Sequence, residues 1–397
     1  MYFWKFTKGK LLLLNQFNET KKFQTPSNPF PTTSYYGSDY FCDREDESSH
    51  ILKLLENGQS CLLVGNRRLG KTALIQHIKY LLPYEYGFIY LDILATENEQ
   101  QFLDALGSAL VQSFPEKSSI GKRVWEFIKG LRPIISFDQL SGTPQVSFQV
   151  QQYEKLVQDI LIFLSKLDQP NIVAIDELQQ IHSYPEKNTD AWLRSTIQQL
   201  HSVTFLFSGS RQTILSELFS NPKRPFYKST NSFKLKKIPQ EKYREFIVMT
   251  FAKHGRILTD ALADEILIWT KCRTYYVQHL CNRLFQLIKK IYGQGDWQDC
   301  AQKILKEQEV FFFHFRSLLS KQQWRLLVAI AKTGVVFAPT SKDFISKNKL
   351  GSAATVFKSI DSLLEKEMIF KEIDQRGAPF YQSYDVFFER WIQGRDF

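Results

Sequence analysis

The sequence predicts an α/β fold: a parallel sheet with helices on both faces, followed by an α-helical lid and a C-terminal winged-helix domain. Three observations lead to this prediction. Short apolar runs alternate with helical patterns between residues 61 and 207, as they do in parallel sheets. Apolar residues then recur at helical spacing over residues 241–316. From residue 320 onward the predicted order is helix, helix, helix, strand, turn, strand, which is typical of a winged helix.

A glycine-rich loop follows the first of these apolar runs. Residues 61–64 are typical of a short buried strand, and apolar residues behind the loop lie at helical spacing from Ala73 to Leu81. The residues between them fit the pattern G-x-x-x-x-G-K-[ST] at every fixed position. In such a unit, backbone N–H groups and the positive end of the helix dipole bind phosphate. The first domain is therefore predicted to be a P-loop NTPase.

The loop predicts a nucleotide site in which the residue types have distinct roles. We expect bound phosphates to contact the loop and the helix start: Gly65, Asn66, Arg67, Arg68, Leu69, Gly70, Lys71, Thr72 and Ala73. Lys71 is expected to reach the β- and γ-phosphates, and the Thr72 hydroxyl is expected to bind Mg²⁺. Because no guanine-specific N-K-x-D pattern accompanies the loop, the sequence favours ATP over GTP.

A second predicted strand, residues 171–175, ends in two carboxylates, Asp176 and Glu177. At the C-terminal edge of a parallel sheet, both would lie beside the phosphates. Asp176 fits the role of a ligand that holds Mg²⁺ through its water shell, and Glu177 fits that of general base on the attacking water. A solvated turn is the better interpretation of an Asp-Glu pair taken alone, but its pairing with the glycine loop favours the functional one.

A third predicted strand, residues 203–207, runs into Ser208, Ser210 and Arg211. We expect this strand to neighbour the carboxylate strand and to close the sheet. Ser208 or Ser210 could then hydrogen-bond the γ-phosphate or its attacking water. Arg211 is a candidate to pair with phosphate, either in its own chain or in a neighbouring one.

These segments carry a family resemblance. The loop G-N-R-R-L-G-K-T, the segments I-D-E-L-Q-Q and F-S-G-S-R, and residues 41–47 together resemble the prokaryotic and archaeal ATPase family. That family belongs to the signal-transduction branch of the P-loop ATPases and is related to AAA-type modules. The paired arginines Arg67 and Arg68 are its most specific mark, and the resemblance covers about residues 28–395. It implies five parallel strands with the carboxylate strand next to the loop strand, then a helical lid and a winged helix.

The resemblance also implies roles outside the loop. It places the segment before the first strand close to the adenine, so Phe41 and Arg44 are candidates for contact with the base. For Arg44, a surface salt bridge is the alternative. In the lid, this family often carries Gly-x-Pro before an aromatic pair, whereas residues 272–274 here are Cys-Arg-Thr, ahead of a Tyr-Tyr pair. This departure leaves open whether the segment reports on the nucleotide.

We predict four segments along the chain. They are an N-terminal extension (1–27), an ATPase core (28–238), a helical lid (239–319) and a winged helix (320–397). Within the core, an insert near residues 130–150 contains two predicted strands about a turn with Gly and Pro. A basic loop broken by prolines follows at residues 221–227, where Arg224 either faces phosphate or is solvated.

Duplex DNA and a protein are both candidate partners of the winged helix. Its third helix, residues 352–366, resembles a recognition helix whose exposed residues would include Thr355, Lys358 and Ser359. Two lysines of this helix are balanced by two acidic residues, so the helix carries no net charge. Further candidates for contact with backbone phosphates lie outside the helix: Lys347, Lys349 and Arg376.

Composition limits the remaining possibilities. The chain has 51 basic and 41 acidic residues, and its net charge of +10 is compatible with a polyanionic partner. Residues 1–23 contribute +4 and residues 215–260 contribute +6, which accounts for the whole surplus. No apolar run approaches the roughly 18 residues of a membrane span, so we expect a cytoplasmic protein. The five cysteines show no metal-binding spacing, which favours reduced thiols.

These observations predict a Mg²⁺-dependent, AAA-like ATPase of the signal-transduction type. Its nucleotide state would be coupled to movement of the lid and winged helix, with duplex DNA or a protein as partner. The alternative is a low-turnover ATP-dependent switch or a DNA-binding regulator. A role as a loader or helper acting on mobile DNA or in phage defence rests on analogy alone. A homo-oligomer is compatible with the sequence, and an arginine finger could come from either copy.

Overall fold

The computed structural model describes residues 25–200, 202–374 and 376–395. Most of the predicted N-terminal extension, residues 1–27, therefore lies outside the described residues. The predicted fold class is confirmed, since a parallel sheet with helices is followed by a helical region and a winged helix. No helix in the described ranges is both long and apolar enough to cross a membrane.

The described chain divides into two compact units. The first comprises residues 25–26 and 33–238 and contains the sheet. The second comprises residues 27–32 and 239–395 and contains both the helical lid and the winged helix. The lid and the winged helix therefore form one compact body.

The first unit alternates strands and helices. Its strands are β1 (Cys61–Val64), β2 (Gly87–Asp92), β3 (Ile134–Phe137), β4 (Pro144–Ser147), β5 (Asn171–Asp176), β6 (Val203–Gly209) and β7 (Asn231–Lys234). Its α-helices are α1 (Glu45–Glu56), α2 (Lys71–Leu81), α3 (Glu99–Ser113), α4 (Ser119–Gly130), α5 (Tyr153–Ser165), α6 (Thr189–Gln198) and α7 (Gln212–Ser220). Two short 3₁₀ helices complete it, at Ser38–Tyr40 and Leu178–Ser183.

The main sheet of the described chain has five parallel strands in the order β2-β5-β6-β1-β7. The prediction that the carboxylate strand β5 lies next to the loop strand β1 is wrong, because β6 lies between them. For the same reason β6 does not close the sheet. All seven residues of β6 are buried, as expected of a central strand that is covered on both faces.

Helices cover both faces of this sheet, and successive strand residues contribute to opposite cores. Leu62 of β1 packs in a large cluster with α3, α4, α5 and α6, whereas Cys61 and Leu63 pack in a second cluster with α1 and α2. This alternation is the period of two that a pleated strand imposes. The edge strand β7 was not predicted, since its four residues are largely exposed and show no apolar alternation.

The predicted hairpin insert is confirmed as the antiparallel pair β3-β4. The insert is anchored on α3, because Phe148 is fully buried and the Ser108 hydroxyl accepts a hydrogen bond of 2.8 Å from the Val146 N–H. The other strand faces outward, with more than half of the Ile134 and Phe137 side chains exposed. Helix α4, which precedes the hairpin, was not predicted.

The second unit is mainly helical. Its helices are α8 (Gln240–Lys253), α9 (Asp260–Trp269), α10 (Thr274–Gln286), α11 (Gln294–Ser317), α12 (Lys321–Thr333), α13 (Lys342–Asn348), α14 (Ala353–Glu365) and α15 (Val386–Gln393). Its two strands, β8 (Ile369–Ile373) and β9 (Pro379–Ser383), pair in an antiparallel wing.

Residues 27–32, which precede α1 in the chain, also belong to this second unit. The division by sequence assigned residues 28–32 to the core, but the structure packs them with the lid. Phe30 is fully buried, and its ring centroid lies 5.2 Å from that of Phe251. The side chain of Asn28 donates to the carbonyl of Asn282 (3.0 Å), and Asn282 donates back to the Phe30 carbonyl (2.8 Å).

The winged helix has the predicted order of elements, and α15 follows the wing. On α14, Thr355 and Lys358 are exposed as expected for a recognition-like helix. The expectation that Ser359 is exposed is wrong. Ser359 lies on the same face as the buried Val356 and Leu363, and its hydroxyl donates to the Thr355 carbonyl (2.9 Å). Its spacing from Val356 is the helical repeat, which places it in the core.

Candidate active site

The glycine-rich loop joins the end of β1 to the start of α2. Arg68 (φ 68°) and Gly70 (φ 91°) both adopt left-handed backbone conformations. Glycine allows this conformation without steric cost, whereas it is uncommon for a residue with a side chain such as arginine. Lys71 is the first residue of α2 and is only 5% exposed. Its ammonium donates to the Gly65 carbonyl (3.0 Å) and lies 4.0 Å from Glu177 Oε1. A buried cation therefore lies at the N-terminus of a helix, where anions bind well.

Two loop side chains contact residues that follow β6. Asn66 Oδ1 accepts a hydrogen bond from Gln212 Nε2 (2.9 Å), and Arg67 Nε donates to Ser210 Oγ at 3.4 Å. Among the other predicted loop residues, Leu69 is buried, Ala73 is half-buried, and Arg68 and Thr72 are exposed. The loop is thus linked to the end of the neighbouring strand of the sheet.

Asp176, at the end of β5, meets the loop through Thr72. Thr72 Oγ1 donates to Asp176 Oδ2 at 2.7 Å, and the Glu177 N–H donates to Asp176 Oδ1 at 3.0 Å. Asp176 is 1% exposed, whereas Thr72 is exposed, so the pair joins a buried carboxylate to a hydroxyl that solvent can reach. A hydroxyl and a carboxylate at this distance offer the oxygen donors that Mg²⁺ prefers. The predicted magnesium-binding residues therefore fit the ion.

The neighbouring strand β2 adds two polar residues that the sequence did not single out. Tyr90 donates its hydroxyl to Asp176 Oδ2 at 3.3 Å, and Asp92 lies opposite Asp176 in the register of the strands. Burial raises the pKa of Tyr90, and Asp176 raises it further, so the phenol stays protonated. Burial also raises the pKa of Asp92, and the charges of Asp176 and Glu177 add to this effect. In the sequence, the feature that could have identified Tyr90 and Asp92 is their position near the C-terminal end of a predicted strand.

Glu177 occupies a left-handed backbone conformation (φ 58°), which is uncommon for a residue with a side chain. Its Oε2 accepts hydrogen bonds from Ser210 Oγ (2.9 Å) and from Gln179 Nε2. Its other carboxylate oxygen, Oε1, lies 4.0 Å from the Lys71 ammonium. Residues with such backbone strain cluster at functional sites.

The predicted sensor residues follow β6, beside the carboxylates. Ser210 is buried and contacts Glu177 directly. Ser208 is fully buried, and its hydroxyl has no hydrogen-bond partner among the described residues. Arg211 directly precedes helix α7 and is half-buried. The structure thus brings Lys71, Thr72, Asp176, Glu177 and Ser210 to one edge of the sheet.

Two arginines considered from the sequence have structural partners here. Arg44 is 3% exposed, and its guanidinium donates to the Lys236 carbonyl (2.8 Å) and to Glu47 (2.7 Å). Contact between Arg44 and the base stays a prediction. Arg224 pairs with Glu217, and it lies 3.7 Å from Asp190.

The segment before α1 contributes an aromatic cluster on α2. Phe41 stacks on the His77 ring at a centroid distance of 4.3 Å, and the Tyr35 hydroxyl lies 2.6 Å from His77 Nδ1. Burial lowers the pKa of His77 from 6.5 to about 4. Burial also raises the pKa of Tyr35, so a neutral imidazole accepts a hydrogen bond from the phenol. Phe41 therefore packs against the helix that follows the loop.

Fold and site together place this chain among the P-loop ATPases. Within that class it belongs to the family described as an ATPase domain predominantly from Archaea, which matches residues 41–270. Residues 310–394 match a second family, described as a probable winged helix domain. The resemblance inferred from the sequence is confirmed. No curated protein sequence matches the chain.

Solved structures show the same fold. The Walker-type ATPase PABY2304 of Pyrococcus abyssi is 17% identical with a TM-score of 0.65, over 92% of this chain and 99% of that one. The ORC2 protein of Aeropyrum pernix, in ADPNP and ADP complexes, is 10% identical with a TM-score of 0.59, over 94% and 99%. The ORC1 protein of the same organism, in complex with DNA, is 12% identical with a TM-score of 0.51, over 93% and 96%.

Proposed function

We propose that this ATPase domain binds and hydrolyses ATP with Mg²⁺ at the edge of its sheet. The observation that carries the proposal is the convergence of a buried lysine, a Thr–Asp pair and a glutamate. Lys71 Nζ lies 4.0 Å from Glu177 Oε1, and Thr72 Oγ1 lies 2.7 Å from Asp176 Oδ2. This combination of cation, metal-binding oxygens and candidate base is what phosphoryl transfer to water requires.

Each side chain has a chemical part in the proposed reaction. Lys71 binds the β- and γ-phosphate oxygens at the positive end of α2. Thr72 and Asp176 would hold Mg²⁺, which would supply positive charge beside the same phosphates. Glu177 accepts a proton from water while the water oxygen forms a bond to the γ-phosphorus. The bond between the γ-phosphorus and the bridging oxygen breaks, and the electron pair of that bond stays on ADP. Inorganic phosphate is released.

The residues after β6 are proposed to respond to the γ-phosphate. Ser208 has a buried hydroxyl without a hydrogen-bond partner among the described residues. Buried hydroxyls in folded proteins normally form a hydrogen bond, so a bound phosphate is a candidate partner. Ser210 already connects Arg67 to Glu177. We infer that Ser208, Ser210 and Arg211 sense the terminal phosphate. Loss of that phosphate on hydrolysis removes their contacts, and this change would move the second unit.

The proposed Mg²⁺ dependence is tested by substituting the carboxylate at the end of β5. We expect Asp176→Asn to lower phosphate release from ATP by about 100-fold at millimolar Mg²⁺, because the ion loses a charged ligand. Asp168→Asn is the matched control, since Asp168 pairs with Arg123 on the surface. Phosphate release that is unaffected by both EDTA and Asp176→Asn would rule out the proposed site.

A low-turnover switch or DNA-binding regulator is the second candidate. Its support is the winged helix, whose exposed side chains include Lys358 of α14 and Arg376 of the wing. Adding duplex DNA to the same assay separates the two functions. DNA-stimulated turnover favours an ATPase that acts on DNA. Salt-sensitive DNA binding with retained, intact ATP favours the switch.

A further inference from the structure

Glu177 is held by two hydrogen-bond donors on one side of its carboxylate. Ser210 Oγ donates to Oε2 at 2.9 Å, and Gln179 Nε2 donates to the same oxygen. Gln179 Nε2 also lies 3.5 Å from Ser210 Oγ. The other carboxylate oxygen, Oε1, lies on the side of Lys71, at 4.0 Å from its ammonium. One oxygen is therefore fixed by the protein, and the other is directed toward the loop.

The backbone around Gln179 is built to place its side chain there. The 3₁₀ helix Leu178–Ser183 begins immediately after the left-handed Glu177, so the chain turns back toward the carboxylate. Gln179 is 3% exposed. A Cβ atom on Gly209 of β6 would lie only 2.1 Å from Gln179 Oε1, so a larger residue at that position would force the Gln179 amide to shift.

The orientation of the amide indicates that it serves the carboxylate. With Nε2 on Glu177, Gln179 Oε1 is buried and has no hydrogen-bond partner among the described residues. The opposite orientation would place two acceptors against each other. A buried acceptor without a partner costs free energy of folding. Stability alone therefore does not account for a glutamine at this position.

We propose that Gln179 is a positioning residue that, with Ser210, fixes Glu177 for proton transfer. This inference rests on the proposed function of Glu177 as general base. Two donors on Oε2 stop the carboxylate from rotating, so Oε1 presents its lone pair toward the phosphate side of the site. General-base catalysis depends on this geometry, because a base must lie within hydrogen-bond reach of the proton that it accepts.

The test uses Gln179→Met, which keeps the length of the side chain and removes the donor. We expect kcat for ATP hydrolysis to fall by roughly 10- to 100-fold, while KM and the Kd for ATP change by less than about threefold. Gln180→Met is the matched control. Gln180 is the next residue, and its side-chain amide donates to the Thr96 carbonyl (2.9 Å). Its contact with Glu177 is a hydrogen bond between backbone groups, from the Gln180 N–H to the Glu177 carbonyl, and the substitution leaves these groups in place. Its kcat should stay within about twofold of wild type.

A double-mutant cycle shows whether Gln179 acts through Glu177. In a Glu177→Gln background, Gln179→Met should cause no further loss of kcat. An equal loss in both backgrounds, or a rise in KM with unchanged kcat, would overturn the inference. If Glu177→Gln alone leaves kcat unchanged, the assignment of the general base fails instead.

A crystal structure of Gln179→Met gives a readout that does not depend on turnover. We expect the Glu177 carboxylate to leave its position beside Ser210 or to occupy several rotamers. If the carboxylate keeps its position and its hydrogen bond to Ser210, the positioning role of Gln179 is excluded.

Discussion

Asp176 and Thr72 lie 104 positions apart in the sequence, yet their side chains meet at 2.7 Å. The meeting follows from the parallel sheet, because β1 and β5 both end at the edge where α2 begins. The sequence was sufficient to predict these two residues, since the loop and the carboxylate strand each carry a fixed spacing. Gln179 and Tyr90 could not be predicted in the same way. The contact of Tyr90 with Asp176 depends on which strands are neighbours, and that of Gln179 with Glu177 depends on the left-handed turn and the 3₁₀ helix after β5. Neither feature has a recognisable local pattern in the sequence.

His77 is expected to make stability depend on pH. Burial lowers its pKa from 6.5 to about 4, so between these values the unfolded chain binds a proton that the folded chain does not. The free energy of unfolding should therefore rise with pH across this window, by up to about 3 kcal/mol. Chemical denaturation at several pH values from 4 to 7 measures this rise.

His77→Phe provides the comparison, because phenylalanine keeps the ring against Phe41 and cannot titrate. The variant should lose the part of the pH dependence that His77 contributes. If wild type and His77→Phe show the same slope of unfolding free energy against pH, the conclusion that His77 is buried and neutral in the folded protein is wrong.

At the scale of elements, the main difference from expectation is the position of β6. Its apolar run and its serines were recognised, but its place between β1 and β5 was not. Burial on both faces gives the same continuous apolar run to every central strand, so the run does not specify the neighbours. The edge strand β7 was missed for the opposite reason, since a short, exposed strand has almost no apolar pattern. The winged helix was predicted from the order of its helices and strands, and in the structure Ser320 and Ser352 cap two of these helices.

The turn between α9 and α10 shows what replaces the glycine and proline often found in this family. Lys271 and Cys272 adopt left-handed conformations, and Arg273 is 2% exposed. Arg273 Nη1 donates to the Tyr384 carbonyl (2.6 Å), and its guanidinium lies 4.6 Å from the centre of the Phe370 ring. In this chain, the turn therefore fastens the lid to the winged helix.

Arg273→Met should destabilise the second unit. The substitution removes a hydrogen bond and a cation–π contact and leaves the Tyr384 carbonyl without this donor, so we expect a loss of about 2–4 kcal/mol. Arg283→Met is the control, because Arg283 pairs with Glu307 at the surface and should change stability by no more than about 1 kcal/mol. Denaturation midpoints measure both effects. Equal effects of the two substitutions would contradict the role of Arg273.

At the scale of the whole molecule, the lid and the winged helix belong to one compact unit, and residues 27–32 belong to it as well. In the proposed coupling between nucleotide state and movement, the second unit would therefore move as one body. Loss of the γ-phosphate would act on the whole unit rather than on the winged helix alone. The buried contacts of Arg273 and Phe30 within the unit support this form of movement.

Single-turnover hydrolysis by wild type and Glu177→Gln, with ATP binding measured on the same proteins, tests the proposed ATPase most directly. We predict that wild type converts bound ATP to ADP and phosphate in the presence of Mg²⁺. Glu177→Gln should bind ATP with a similar Kd and hydrolyse it about 100- to 10,000-fold more slowly, because the water loses its base. The surface substitution Glu154→Gln should behave as wild type. Hydrolysis by Glu177→Gln at the wild-type rate, or intact ATP on both proteins, would contradict the account.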